Sequence, residues 1–328
     1  MSKMKAAILD APDAPFRIAE VAKPAPGPGE VLVRIAASAI NPLDTKIRAG
    51  AATHALHPLP AILGIDMAGT VEAVGAGVTR FHHGDEVYGM TGGVGGIQGS
   101  LAEYAAVDAD LLALKPANLA MREAAALPLA MITAWEGLVD RMDLRAGQIL
   151  LVQGGAGGVG HVAVQLGHAL GAEVHATGSA RDRALIERYG AHFIDRAEPV
   201  ADYVTRITGG HGFDRVFDSV GGAALDASFM AVRRFGHVAS ALGWGSHVLA
   251  PLSFKGASYS GVFTLMPLLS GKARRHLGEI LERATALAEA GKLVPRLDWR
   301  RFPLADLDAA YALVREGKTR GKLVVEPA

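Results

Sequence analysis

The sequence predicts an α/β protein with a β-rich first part followed by a doubly wound parallel sheet, and three observations carry that prediction. The first is the run ILLVQGGAGGVG at residues 149–160, an apolar strand ending in a glycine-packed turn. The second is a change of character near Glu123. Before it, short β-type runs are punctuated by Pro and Gly clusters; after it, strands and helices alternate. The third is that 328 residues, half of them apolar, suffice for a large core and suggest two domains.

In the first 115 residues, 31–37 and 69–74 read as strands, with breaks at 24–29 and 92–99 and no helical period longer than two turns. Beyond Glu123 the strands are 149–153, 173–177, 192–195, 214–219 and 237–242, separated by helical segments. Residues 274–290 read as a long helix and 321–326 as a closing strand.

The turn after residue 153 has the spacing G-x-G-x-x-G at Gly155, Gly157 and Gly160. The first glycine permits the tight turn, the second lets a ligand's phosphates approach bare backbone, and the third lets the next helix pack closely on the strand. With 40 glycines in the chain a chance match is expected, so the context decides. A buried strand precedes the turn. Helical spacing follows it at Val159, Ala163, Leu166 and Leu170, with Gly171 as the stop and a second short strand beyond. That β-turn-α-β context points to a dinucleotide whose pyrophosphate sits at the helix N-terminus.

At the end of the second strand, ATGSARDR offers no acid before Asp182, where an NAD site normally presents one to the ribose 2′-hydroxyl. Ser179, Arg181 and Arg183 are candidates to receive a 2′-phosphate, the arginines bidentately; the competing reading makes the two arginines solvated residues opening the next helix. The expected cofactor is NADP. Ligands of open α/β sheets bind outside the carboxyl ends of the strands. Ser219 and Val220 in DSVGG, and Ala241 and Leu242 in ALGWG, mark two further such ends, though ordinary turns after strands would look the same. Thr133, in PLAMITAW, falls near the pyrophosphate by its place in the order.

Charge and cysteine content exclude several classes. Thirty-three basic residues balance thirty-three acidic ones, which argues against a nucleic-acid or membrane-surface partner. No apolar run approaches the roughly 18 residues of a membrane span. The start, MSKMKAAILDAP, lacks the apolar core of a signal peptide, so the expected location is cytoplasmic. The chain has no cysteine, which removes disulfides, thiolate nucleophiles and thiolate metal ligands. Nor does it contain a G-x-S-x-G nucleophile elbow.

A set of motifs spread over nearly the whole length resembles the quinone oxidoreductase-like branch of the medium-chain dehydrogenase/reductase superfamily. They are NPLDTKIRAG (41–50), LGIDMAGTVEAVGAGVTRFHHGDEVYG (63–89), GSLAEYAAV (99–107), LPLAMITAW (127–135), GGAGGVG (154–160), GKLVP (291–295), FPL (302–304) and RGKLVVEP (320–327). The resemblance implies a GroES-like β-barrel catalytic domain at 1–123 and 266–328. It further implies a Rossmann domain at 124–265, an active site in the cleft between the two, and a homodimer joined through the last strand of the Rossmann sheet near 246–252.

The zinc alcohol dehydrogenase branch has Cys, His and Cys as catalytic zinc ligands; the matching positions here are Asn41, Ile65 and Leu129. Its structural zinc lobe is missing as well, and the histidine pairs His54 with His57 and His82 with His83 read as loop residues. No metal site is expected. Without a Lewis acid, reversible alcohol oxidation gives way to reduction of an already electrophilic acceptor. The resemblance therefore implies hydride transfer from NADPH to a quinone or another electron-poor carbonyl. An alkenal or enoyl double-bond reductase is the alternative in the same class, and a non-catalytic NADP-binding redox sensor is the alternative in another.

The cofactor-binding residues expected are Asn41, Thr133, Gly155, Ala156, Gly157, Gly158, Val159, Ser179, Arg181, Arg183, Ser219, Val220, Ala241, Leu242 and Lys322. Asn41 is placed beside the nicotinamide ribose by the resemblance. Three residues are candidates for the catalytic set: Asn41, Lys46 and Tyr259. Lys46 stands where many relatives carry Tyr, and two readings compete for it: a donor to the developing oxyanion, or a solvated barrel lysine. Tyr259 is read either as a donor or stacking wall or as a core tyrosine.

Overall fold

The computed structural model describes residues 2–327, which divide into two compact units. The first runs through Leu129 and returns with Leu265–Gly291 and the chain from Pro295 on; the second comprises Ala130–Thr264 and Lys292–Val294. The first unit reaches past residue 123 because the short Met121–Ala125 helix packs on its Glu30–Ile40 and Asp66–Val74 strands. Residues 292–294 belong to the second unit because the Gln165 side chain holds the Val294 backbone at both ends. It accepts from the N–H at 2.8 Å and donates to the C=O at 3.1 Å.

The first unit is built around the eleven-residue strand Glu30–Ile40, which pairs antiparallel with Asp66–Val74, Tyr104–Asp108 and Leu323–Glu326. Val31, Leu32, Val33 and Ile35 of that strand are buried and Arg34 is exposed, so the strand is covered on both faces over much of its length. A register with Leu323 opposite Ile40 and Asp66 opposite Ala39 brings the ends of three distant segments together. The strand ends at Asn41, and Pro42 opens a seven-residue helix, Pro42–Arg48, where its fixed φ and missing N–H cost nothing.

The second unit is a six-stranded, wholly parallel sheet. Its order is His192–Asp195, Glu173–Gly178, Ile149–Gln153, Phe213–Asp218, Val232–Ser240, Ser258–Gly261. Numbered within this sheet alone the order is 3-2-1-4-5-6, which reverses between Ile149–Gln153 and Phe213–Asp218. In such sheets that reversal is the ligand-binding crevice. Leu150, Leu151, Val152, Val216 and Phe217 are all fully buried, as expected of strands covered on both faces. The sequence pattern gave the first and third strands residue for residue. It placed 237–242 too late, since the strand there is Val232–Ser240 and Ala241 and Leu242 follow it.

The expected dimer strand near 246–252 is not a strand. Residues 246–249 are irregular and Ala250–Lys255 is a short helix, with Pro251 in its first turn and Gly256 in the left-handed conformation after it. The last strand, at one edge of the sheet, is Ser258–Gly261. Among the described residues no helix is long and apolar enough to cross a membrane.

Candidate active site

In the second unit the turn after Ile149–Gln153 shows why its glycines are required. A Cβ at Gly160 would overlap the Gly154 carbonyl oxygen, and one at Gly155 would stand 2.5 Å from the Ala176 Cβ. These two glycines close the strand, turn and helix on one another. Gly157 and Gly158 are exposed instead, and nothing lies within 4 Å of a Cβ built at Gly158. Bare backbone at the start of the ten-residue Gly160–Ala169 helix is the cradle a pyrophosphate requires, so these residues fit the cofactor. Ala156 and Val159 complete the turn, half-buried.

The ends of the first, second and fourth strands in chain order are tied together here. Thr177 Oγ1 donates to Gln153 Oε1 at 2.7 Å and accepts from the Gly154 N–H at 3.0 Å, tying the first two. Ser219 Oγ donates to the Gln153 carbonyl at 2.8 Å, bringing in the fourth. Asp218, which sequence reasoning passed over, organises the rest. Its carboxylate accepts from the Val220 and Gly221 N–H groups at 3.1 and 3.0 Å and from Ser240 Oγ at 2.6 Å, and its carbonyl accepts from the Ala241 N–H at 3.0 Å. Ser240 Oγ in turn accepts from the Leu242 N–H at 3.1 Å. Val220, half exposed, lies over Gly154. Thr133 is buried on the Pro128–Trp135 helix.

Tyr259 belongs to this group and not to the polar cluster of the first unit. Its ring packs edge-on against Phe229 at 5.7 Å, and its hydroxyl fills the space a Cβ at Gly243 would need. Burial, with Asp218 nearby, raises its pKa. At the other side of the sheet, Ser179 Oγ donates to Asp182, an acid the turn folds back onto the strand end. Arg181 is 87 % exposed, while Arg183 stacks on Phe193 at 4.4 Å and lies 3.5 Å from Glu187.

In the first unit the strand registers assemble a buried cluster from Asn41, Asp44, Asp66 and Lys322. Asn41 Nδ2 donates to Asp66 Oδ2 at 3.0 Å, and the Lys322 ammonium donates to Asn41 Oδ1 while lying 3.8 Å from Asp66 Oδ2. Asp66 Oδ1 accepts from the Leu129 N–H at 2.9 Å, and Asp44 accepts from the Asn41 N–H at 2.8 Å. Both ends of the Asn41 amide are thus held in place. Burial pushes the pKa of Asp44 up to about 7, with one carboxylate oxygen lacking a partner, and that of Asp66 up to about 6; it lowers that of Lys322. Lys46 is exposed, on a helix that buries Asp44 and Ile47.

The positions matched to zinc ligands, Asn41, Ile65 and Leu129, therefore surround Asp66, with Ile65 fully buried beside it. What carries positive charge there is Lys322. No group of three or more His, Cys, Asp or Glu among the described residues is placed to hold a metal. Asp66 stands out in the sequence as a single charge inside an apolar run (GIDMAG), whereas RGKLVV carries Arg320 beside Lys322, and neither pattern says which residues the two charges meet.

Fold and site together define a pyridine-nucleotide oxidoreductase with a GroES-like and a Rossmann-type unit. Residues 27–117 match the alcohol dehydrogenase GroES-like domain family and residues 189–325 the zinc-binding dehydrogenase family. A 2-methylene-furan-3-one reductase of Solanum lycopersicum is 36 % identical over 307 residues, 91 % of this chain and 72 % of that protein. The chloroplastic NADPH-dependent alkenal/one oxidoreductase of Arabidopsis thaliana is 35 % identical over the same shares of both chains. Among solved structures, an alcohol dehydrogenase superfamily protein from Novosphingobium aromaticivorans is 55 % identical with a TM-score of 0.97, covering 99 % of this chain and 100 % of that one. The quinone oxidoreductase of Coxiella burnetii is 28 % identical with a TM-score of 0.84, both chains being covered in full. The chain belongs to the medium-chain dehydrogenase/reductase superfamily, in its quinone oxidoreductase-like branch.

Proposed function

We propose that the protein is a zinc-independent, NADPH-dependent reductase of electron-poor carbonyl acceptors, a quinone or an α,β-unsaturated carbonyl. The observation that carries this reading is the first unit's cluster, where Asn41, Ile65 and Leu129 replace metal ligands and a lysine ammonium supplies the cation. The enone alternative is favoured by the two curated relatives named above, both of which are named for reduction of unsaturated carbonyls or ketones. When bound, NADPH supplies the hydride. The turn at Gly155, Gly157 and Gly160 holds the pyrophosphate, Ser179 and Arg181 face the adenosine ribose, and Asn41 is a hydrogen-bonding group fixed by Asp66 and Lys322. NADPH oxidation against a panel of quinones and alkenals tests the proposal and ranks the two acceptor classes; no turnover on either class by a protein that binds NADPH overturns it.

Activity is expected to survive prolonged chelation, and elemental analysis is expected to find no stoichiometric zinc. Loss of activity on chelation with recovery on adding zinc would contradict that. Asn41→Ala is expected to lower kcat/KM about tenfold or more, roughly 1.4 kcal/mol of transition-state stabilisation. Lys46→Ala is expected to act mildly, because Lys46 is exposed on its helix. Steady-state kinetics separate the two. Turnover abolished by Lys46→Ala, with NADPH affinity intact, would make that lysine the oxyanion donor instead.

A further inference from the structure

The end of the Glu173–Gly178 strand, second in this sheet, is where a dinucleotide's adenosine ribose is read. From there the chain makes one tight turn, Ala180–Asp182, closed by the Asp182 N–H donating to the Ser179 carbonyl at 2.8 Å. The turn reverses the apparent absence of an acid. It folds Asp182 over the strand end, its Cβ 3.5 Å from where a Cβ on Gly178 would stand, and Ser179 Oγ donates to the Asp182 carboxylate. Both arginines are exposed; Arg183 lies over Phe193 and 3.5 Å from Glu187, and Arg181, the more exposed, has its Nε 3.9 Å from Asp182.

We infer that Asp182 is a specificity-determining residue that opposes the 2′-phosphate, so that NADH is accepted beside NADPH. This rests on the nucleotide-binding reading above. A carboxylate accepts from a free ribose 2′-hydroxyl and repels a phosphate group. The Ser179 hydroxyl has one proton to donate, and it is already given to Asp182. Arg181 acts in the opposite sense, since an exposed guanidinium pairs with phosphate oxygens bidentately. The preference between the two nucleotides is the balance of these residues.

Dissociation constants of the purified protein for NADPH and NADH, measured by titration calorimetry, test this in the wild type and in Asp182→Asn, Asp182→Ala and Arg181→Ala. Asp182→Asn keeps the side chain's shape and removes its charge, and Asp182→Ala releases Ser179 altogether. Both are expected to raise the NADPH-to-NADH affinity ratio about tenfold or more, the scale of one charge-assisted hydrogen bond. Arg181→Ala is expected to lower the ratio. A ratio unchanged within about twofold in both Asp182 variants, with both nucleotides still bound, overturns the role of Asp182 alone. A wild type that binds neither nucleotide overturns it together with the reading beneath it.

Discussion

Lys322→Met is expected to destabilise the protein by about 3–5 kcal/mol at pH 8, the usual cost of removing one partner from a buried ion pair. The methionine fills the volume of the lysine stem, but Asp66 and Asn41 Oδ1 lose their cation and both carboxylates stay buried. Burial already raises the pKa of Asp44 to about 7 and of Asp66 to about 6, against 3.8 for the free side chain. A carboxyl with a folded pKa above its unfolded one holds more protons in the native state, so its contribution is complete below about pH 4 and is lost as pH rises through the folded value. Lys322 lowers both carboxyl pKa values. Removing it moves that loss to higher pH and deepens it. The deficit of the variant is therefore expected to narrow on going from pH 8 to pH 5, where the carboxyls are largely protonated with or without the lysine. Denaturant unfolding at the two pH values measures this, and Lys322→Arg, which keeps the charge, is expected to recover part of the stability. A deficit under about 1 kcal/mol at pH 8, the scale of an exposed pair, would show that the ammonium is not the counter-charge of the cluster.

That cluster was the part of the site least legible in the sequence. The central strand of the second unit was legible because a parallel strand buried on both faces appears as a continuous apolar run, as ILLV does at 149–152. The glycine turn was legible because a strand before it and helical spacing after it constrain one local stretch of chain. Asn41, Asp66 and Lys322 obey no local rule. They meet only through the antiparallel registers of Glu30–Ile40 with Asp66–Val74 and Leu323–Glu326, and a single sequence does not state a register. Asp182 escaped for a related reason: position along the strand was counted, and the turn that carries the carboxylate back to Ser179 was not. Residues 246–252 misled because a short apolar run does not distinguish strand from helix by periodicity. Pro251 was the overlooked sign of a helix start.

Gly160→Ala is expected to weaken nucleotide binding about tenfold to a hundredfold, the loss of one or more hydrogen bonds to a charged phosphate. The added methyl overlaps the Gly154 carbonyl oxygen and comes within 2.8 Å of its carbon, and both are backbone, so the turn itself must open. Overpacking of this kind costs a further ~1–3 kcal/mol of stability. Gly158→Ala separates the two effects. A methyl there meets nothing within 4 Å, and the backbone is not in the left-handed region, so folding tolerates it. It does occupy the exposed face on which a phosphate would rest, so affinity is expected to fall while the melting temperature holds. Titration with NADPH beside thermal unfolding of both variants gives the answer. If Gly160→Ala bound nucleotide and melted like the wild type, the turn would not be the rigid cradle that the contacts of Gly154, Gly155 and Gly160 define. If Gly158→Ala bound as tightly as the wild type, the exposed backbone of the turn would not be the surface that meets the phosphates.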